Sequence, residues 1–262
     1  MGRGTGREAM TTWAVVAARM GSSRMAGKSM AVLAGRPSLA HIVARLRRSR
    51  HLDGIVVATP DGAENDPIRA CARAQGVPCF SGSEDDVLGR TLGAARSVGA
   101  EVIVQVTGDC PLADPRIVDR VIEAYRRDRP DYAANCLARS YPDGMDVEVF
   151  STAVLAEADR ATTDPGDREH VSLYIYGHPE RYRLLNVPAP PEHTWPDLRL
   201  TLDTPEDYRV IGAIYDRLYP NDPDFGLDET LAWLRAHPEV LTAGSAPGAG
   251  QTIPSGARSA AC

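Results

Sequence analysis

At 262 residues, with 43% hydrophobic and 24% charged positions, the chain is long enough to bury a full core and has the make-up of one soluble globular domain. Its net charge of −6 argues against a general binder of nucleic acid or of anionic membrane surfaces. No run approaches about eighteen consecutive apolar residues, so no transmembrane helix is expected. The five cysteines, Cys71, Cys79, Cys110, Cys136 and Cys262, are odd in number and lack CxxC spacing. They read as free thiols of a cytoplasmic protein.

The opening "MGRGTGREAMTT" has no apolar run of a secretory signal. Residues 1–11 read as a disordered leader, and the natural start, Met1 or Met10, is left open. The body, 12–239, reads as a single domain. "TWAVVAA" (12–18), "GIVVAT" (54–59), "VPCF" (77–80) and "EVIVQVT" (101–107) predict strands whose near-continuous Val, Ile and Ala content suits burial on both faces. Between them, residues 37–50, 66–76 and 84–99 carry apolar residues at helical spacing. A further helix over 114–128 starts with Asp114 as N-cap and Pro115 at its first position. Alternating strand and helix predicts an α/β fold with a mostly parallel central sheet.

The rhythm changes after residue 130. Strands are predicted over 131–136, 144–150 and 181–189, and helices over 151–161 and 167–178, so 131–190 reads as an inserted arm. The chain returns to the sheet at "LRLTL" (198–202). A helix over 203–219 then begins with Thr204 as N-cap, Pro205 at N1 and Asp207 at N3, close to a capping box. The Gly-, Ala-, Ser- and Pro-rich stretch 240–262 reads as a disordered tail.

Of 29 basic residues, 28 are arginine; the one lysine is Lys28, in "ARMGSSRMAGKSM" (18–30). "GKS" after a strand invites a P-loop, but that pattern needs glycine where Ser22 stands, and "AGRP" interrupts the helix that should follow. The alternative is a long loop wrapping a nucleotide triphosphate at the carboxyl end of the first strand. Gly21 and Gly27 let backbone approach phosphates, and Arg19, Arg24 and Lys28 oppose their charge.

Asp109 in "VTGDCP" and Asp203 in "LTLDTP" each follow a predicted strand, so both emerge on the edge that carries the lysine loop. Two carboxylates completed by phosphate oxygens and water is a usual way to hold Mg²⁺. Each Asp taken alone also reads as a turn or helix cap. Cys110 has no visible base partner and reads as packing. In the arm, Asp146 and Glu148 share one face of their predicted strand, which suits either an acceptor site or a wet outer face. Glu169 and His170 read as acceptor contacts or as structural residues. Tyr141 and Asp143 in "SYPDG" read as acceptor contacts or as turn chemistry.

"VVAARMGSSRMAGKSM" resembles the amino-terminal signature of the CMP-sugar cytidylyltransferases, which include the acylneuraminate and 3-deoxy-manno-octulosonate enzymes. "FSGSEDDVLGR", "QVTGDCPLADPRIVDRVI", "YPDGMDVEVFS", "REHVSLYIYGHPERY" and "LRLTLDTPEDY" resemble further blocks, in order, of the branch named after a spore-coat polysaccharide biosynthesis protein. The resemblance implies a nucleotide-diphospho-sugar transferase fold and Mg²⁺-dependent transfer of CMP from CTP to a hydroxyl of a sugar or sugar acid, with release of pyrophosphate. It implies that Arg19, Arg24 and Lys28 hold the triphosphate, that Asp109 and Asp203 hold Mg²⁺, and that Ala17, Ala18, Thr59, Gly82 and Ser83 line the cytidine pocket. It further implies acceptor and dimer contacts from the arm, hence a homodimer. Met25-Ala26 departs from the family's Leu-Pro and should loosen the loop. The competing readings are a nucleotide-sugar-dependent glycosyltransferase, which would want a second Asp where Pro111 stands, and a non-catalytic nucleotide-sugar-binding protein, which should have lost some of these charges.

Overall fold

The computed structural model describes residues 10–242. β1 (Thr12–Ala17) is followed by a long loop and a small antiparallel ribbon of β2 (Val32–Leu33) and β3 (Arg36–Pro37). α1 (Ser38–Leu46), β4 (Gly54–Pro60), α2 (Asp66–Ala74), β5 (Cys79–Gly82), α3 (Val87–Ser97) and β6 (Val102–Thr107) then alternate. α4 (Pro115–Asp128) starts as expected, the Asp114 carboxylate accepting the Arg116 N–H. The arm contributes β7 (Tyr132–Ala134), β8 (Glu148–Ser151), α5 (Thr152–Ala161), α6 (Pro165–Glu169), α7 (Leu173–Gly177) and β9 (Leu184–Asn186). α8 (Pro205–Leu218), α9 (Leu227–Ala236) and α10 (Glu239–Thr242) complete the fold. None of these helices is long and apolar enough to cross a membrane.

Among the described residues seven strands form one sheet in the order β5-β4-β1-β6-β8-β7-β9. β5, β4, β1 and β6 run parallel; β8 is antiparallel to its neighbours β6 and β7, and β9 pairs in parallel with β7. The continuous apolar runs are sorted by the two-residue period of the strand. Ala14, Val16, Val57 and Val104 face a layer built on α1, α4 and α8, while Val15, Val56 and Ile103 face α3 and α5. Full burial of each Val or Ile is worth roughly 1.5–3 kcal/mol, so the central strands are the best-secured part of the molecule.

Several expectations are corrected. Residues 198–202 do not form a strand: the segment makes one isolated bridge, Asp143 to Arg199, in which Leu200 N–H donates to Asp143 O (2.7 Å), and Leu202 N–H donates to the loop carbonyl of Asp109 (2.7 Å). The predicted helix 167–178 is two short helices, broken where Val171 takes φ +34°. The predicted strand 144–150 pairs only from Glu148. Cys71, Cys79 and Cys110 are free thiols, but Cys136 is disulfide-bonded, which corrects its reading as a free thiol, since odd number and spacing alone do not decide which cysteines pair. Most of the expected leader and tail lies outside the described residues. Inside them, Thr11 O accepts from Glu101 and Val102, and 240–242 finish a helix.

The arm crosses the 198–203 segment at Gly144, whose φ is +98°. A Cβ there would lie 2.7 Å from the Leu200 carbonyl carbon and oxygen. Gly144→Ala is therefore expected to cost about 2–4 kcal/mol, seen as a melting point about 5–10 °C lower. An unchanged thermal transition would mean that the crossing is not tight.

Candidate functional site

From β1 the chain builds outward through β4 to β5 and then returns to β6 on the other side of β1. The loops that leave the carboxyl ends of β1 and β6 therefore diverge and open a crevice between them, as at any such switch in an open α/β sheet. A cleft of about 750 Å³ lies there, lined among others by Ala17, Ala18, Arg19, Arg24, Lys28 and Asp109.

The loop after β1 is closed by its own backbone. Gly27 N–H donates to Met20 O at 2.9 Å, Met30 N–H returns to Gly27 O at 2.8 Å, and Met20 N–H is held by Asn65 Oδ1 at 2.9 Å. Gly27 has φ +70°, a conformation glycine takes at little cost, and it starts the 3₁₀ turn that lifts Lys28 into the cleft.

Lys28 Nζ donates to Asp109 Oδ2 at 2.7 Å and to Asp203 Oδ1 at 2.6 Å. Arg24 Nη2 reaches the same Asp203 oxygen at 3.0 Å, and Arg199 Nη2 takes the other at 2.9 Å. Burial works against the ammonium, but the Asp109 charge and the bonds to both carboxylates outweigh it and raise the Lys28 pKa. Burial likewise opposes the Asp109 carboxylate, and Lys28 overcomes it, holding Asp109 below its ordinary range. A compact ammonium suits this bridging position because its three N–H donors radiate from one nitrogen, whereas a guanidinium spreads its donors over a wider planar fork. The same convergence fits a hard divalent cation, since two carboxylates from separate loops already aim at one positive centre. Among the described residues no cluster of three or more Asp, Glu, His or Cys is arranged for a metal, so such an ion would need phosphate or water to complete its shell.

The remaining candidates divide. Glu169 and His170 are exposed and line the cleft opposite Lys28's loop, at the end of α6. Gly21 packs against Glu84, whose carboxylate is 3.6 Å from Arg19. Thr59 is fully buried with its hydroxyl unbonded, while Gly82 O accepts from Asp61 and Ser83 accepts from Asp86; none of these three lines the cleft. Asp146 is gripped by Arg139 at 2.7 and 2.8 Å, with Asp143 at 3.6 Å from the same guanidinium. Burial raises the Asp146 pKa despite Arg139, with the charges of Asp143 and Asp109 adding to it. Tyr141 is buried, 6.2 Å from the His193 ring.

Glu148 overturns the wet-face alternative. It is buried between β6 and β7, where it accepts from Tyr132 Oη at 3.0 Å and from Ser172 Oγ, and burial pushes its carboxyl up to about 7. Cys110 is packing as read: it is 2% exposed, and burial drives its thiol well above the usual range.

The sequence reading missed much of the far wall. Arg168 joins Asp86, the cap of α3, to Asp159 of α5, and Asp85 and Arg90 line the cleft beside them. The signal was present in "SEDD", but an acidic run ahead of an apolar period also reads as simple helix capping.

A sequence profile described as Cytidylyltransferase matches residues 13–230. Spore coat polysaccharide biosynthesis protein SpsF of Bacillus subtilis is 35% identical over 233 residues, covering 87% of this chain and 95% of that protein. A 3-deoxy-manno-octulosonate cytidylyltransferase of Anaeromyxobacter dehalogenans is 33% identical over 178 residues, covering 62% and 72%. The solved structure of a cytidylyltransferase from Leptospira borgpetersenii superposes with a TM-score of 0.83 at 30% identity, over 89% of this chain and 97% of that one. A CMP:2-keto-3-deoxy-manno-octonic acid synthetase solved with CTP shares the fold at a TM-score of 0.60 and 18% identity, over 79% and 99%.

Glu148 yields a test of the arm. A carboxyl raised from the ordinary 4.5 to about 7 holds its proton more tightly folded than unfolded. That contribution is complete below about pH 4.5 and is lost as the pH rises through about 7, on the order of 3 kcal/mol in all. Relative to Glu148→Gln, the wild-type melting point should therefore fall between pH 5 and pH 8, by about 5–10 °C. Parallel melting-point curves for the two proteins would mean that Glu148 is not perturbed.

Proposed function

The chain belongs to the cytidylyltransferase family, CTP-dependent nucleotidyltransferases with the nucleotide-diphospho-sugar transferase fold, and on that premise we propose that it moves CMP from CTP to a hydroxyl of a sugar or sugar-acid acceptor, releases pyrophosphate and depends on Mg²⁺. The observation that carries the reading is the convergence of Asp109 and Asp203 on Lys28, with Arg24 beside them.

In this reading the acceptor oxygen attacks the α-phosphorus while the bond to pyrophosphate breaks in line, a step governed by positioning and charge stabilisation. Arg19, Arg24 and Lys28 bind the triphosphate, and Lys28 and Arg24 stabilise the charge that gathers on the departing pyrophosphate. Asp109 and Asp203 hold Mg²⁺, which supplies Lewis-acid polarisation of the α-phosphate when bound. The backbone around Ala17 and Ala18 receives the cytidine, with Thr59, Gly82 and Ser83 set behind the residues that line the cleft, and Gly21 lets the loop backbone approach the phosphates. Glu169 and His170, open to the cleft, meet the acceptor. Asp143 and Asp146 orient Arg139, and Tyr141 and Glu148 support the arm from its interior. The glycosyltransferase alternative is disfavoured by Pro111 in place of a second metal-binding Asp.

Calorimetry with CTP, UTP, ATP and GTP, each with and without Mg²⁺, tests the reading: CTP should bind preferentially and more tightly with the metal. Tighter binding of a nucleotide-sugar than of every triphosphate would reject it. Asp109→Asn is expected to lower pyrophosphate release by about 100-fold or more. Lys28→Arg should lower turnover by roughly 10- to 100-fold with the melting point held, since the fork cannot replace the point charge. Near-normal turnover of Lys28→Arg would remove the ammonium from the mechanism.

A further inference from the structure

We infer that Tyr215 and Arg45 are positioning residues that fix the separation of the Asp109 and Asp203 carboxylates, an inference that rests on the reading of those carboxylates as the cation-binding pair.

The loop after β6 has left the ladder, and its carbonyls need other partners. From Asp109 to Asp114 each carbonyl finds one. Asp109 O accepts from Leu202 N–H at 2.7 Å and Cys110 O from Ala113 N–H at 3.0 Å. Pro111 O accepts from the Tyr215 hydroxyl at 2.6 Å. Arg45 covers the next two, its Nη2 on Leu112 O at 3.4 Å and its Nε on Ala113 O at 2.9 Å. Asp114 O then starts α4, accepting from Ile117 and Val118.

Two features mark these donors as more than core filling. Arg45 is 3% exposed, and among the described residues it has no ion-pair partner; its guanidinium lies on the Phe225 ring, 4.8 Å from the centroid. Burying a charge is costly, and here it is committed to main-chain carbonyls of one loop. Tyr215 is fully buried and belongs to α8, the helix whose N-cap, Thr204, directly follows Asp203. At that end Asp207 Oδ2 accepts the N–H groups of Asp203 and Thr204 at 3.0 and 2.8 Å. One helix thus holds the Asp203 backbone at its first turn and the Asp109 loop through Tyr215 further along. The Leu202 bond closes the frame from the other side.

Tyr215→Phe keeps the ring and removes only the hydroxyl. Mn²⁺ binding followed by electron paramagnetic resonance at saturating CTP should weaken on the order of tenfold, while CTP binding measured without metal stays within about twofold. Arg45→Lys, which keeps the charge but gathers its N–H donors on one nitrogen, should fall between wild type and Arg45→Met. A Tyr215→Phe protein that binds Mn²⁺ as tightly as wild type would overturn the positioning role alone. Wild type that binds no Mn²⁺ with CTP would remove the dicarboxylate reading and this inference with it.

Discussion

One ammonium group shared by two carboxylates organises this site. Asp109 and Asp203 lie 81 and 175 residues from Lys28 in the chain, and like charges brought this close repel unless a cation sits between them. Lys28 supplies that cation, and the fold supplies the reach. β1 and β6 are adjacent parallel strands, so their loops diverge at one edge of the sheet. The segment before α8 is drawn to the same edge by main-chain bonds to Asp109 and Asp143. Whatever polyanion enters the cleft meets Lys28 and Arg24 already engaged, so binding exchanges one set of charge pairs for another.

Much of this was legible in the chain because it depends on short-range chemistry. The apolar runs of β1, β4 and β6 specify buried parallel strands, Asp114-Pro115 and Thr204-Pro205 specify helix starts, and Asp109 and Asp203 follow from their places after apolar segments. The lone Lys28 among arginines was a statistical oddity that the geometry turned into a bridging position. What failed was set by partners that a linear reading does not contain. "LRLTL" has strand composition but meets loops, not a strand. The alternation around Glu148 left a wet face open beside an acceptor site, yet Ser172, just ahead of α7, and Tyr132 of β7 cover it. The predicted helix over 167–178 is broken at Val171, where no glycine or proline announces a break.

The far wall shows a second limit. Arg168 reaches Asp86, 82 residues away, and so ties the arm to the parallel core beside the cleft. Both residues also serve local roles, as helix residue and helix cap, and the local role alone explains their presence. Only the fold reveals that one bond serves both, which is why acidic and basic residues at helix ends are poor guides to a site until their neighbours are known.

The place of β8 has a consequence for how the molecule is made. β6 is complete at residue 107, but its outer neighbour β8 ends at residue 151 and the Asp203 segment comes later still. On a ribosome, the half-sheet of β1, β4 and β6 emerges first and carries an open apolar edge until the arm folds back against it. Parallel pairing of this kind is slow because distant strands must meet before they are rewarded. During that interval the unpaired edge of β6 is open to pairing with another nascent chain. The strand that shields it runs antiparallel, inserted between β6 and β7 after both have been synthesised.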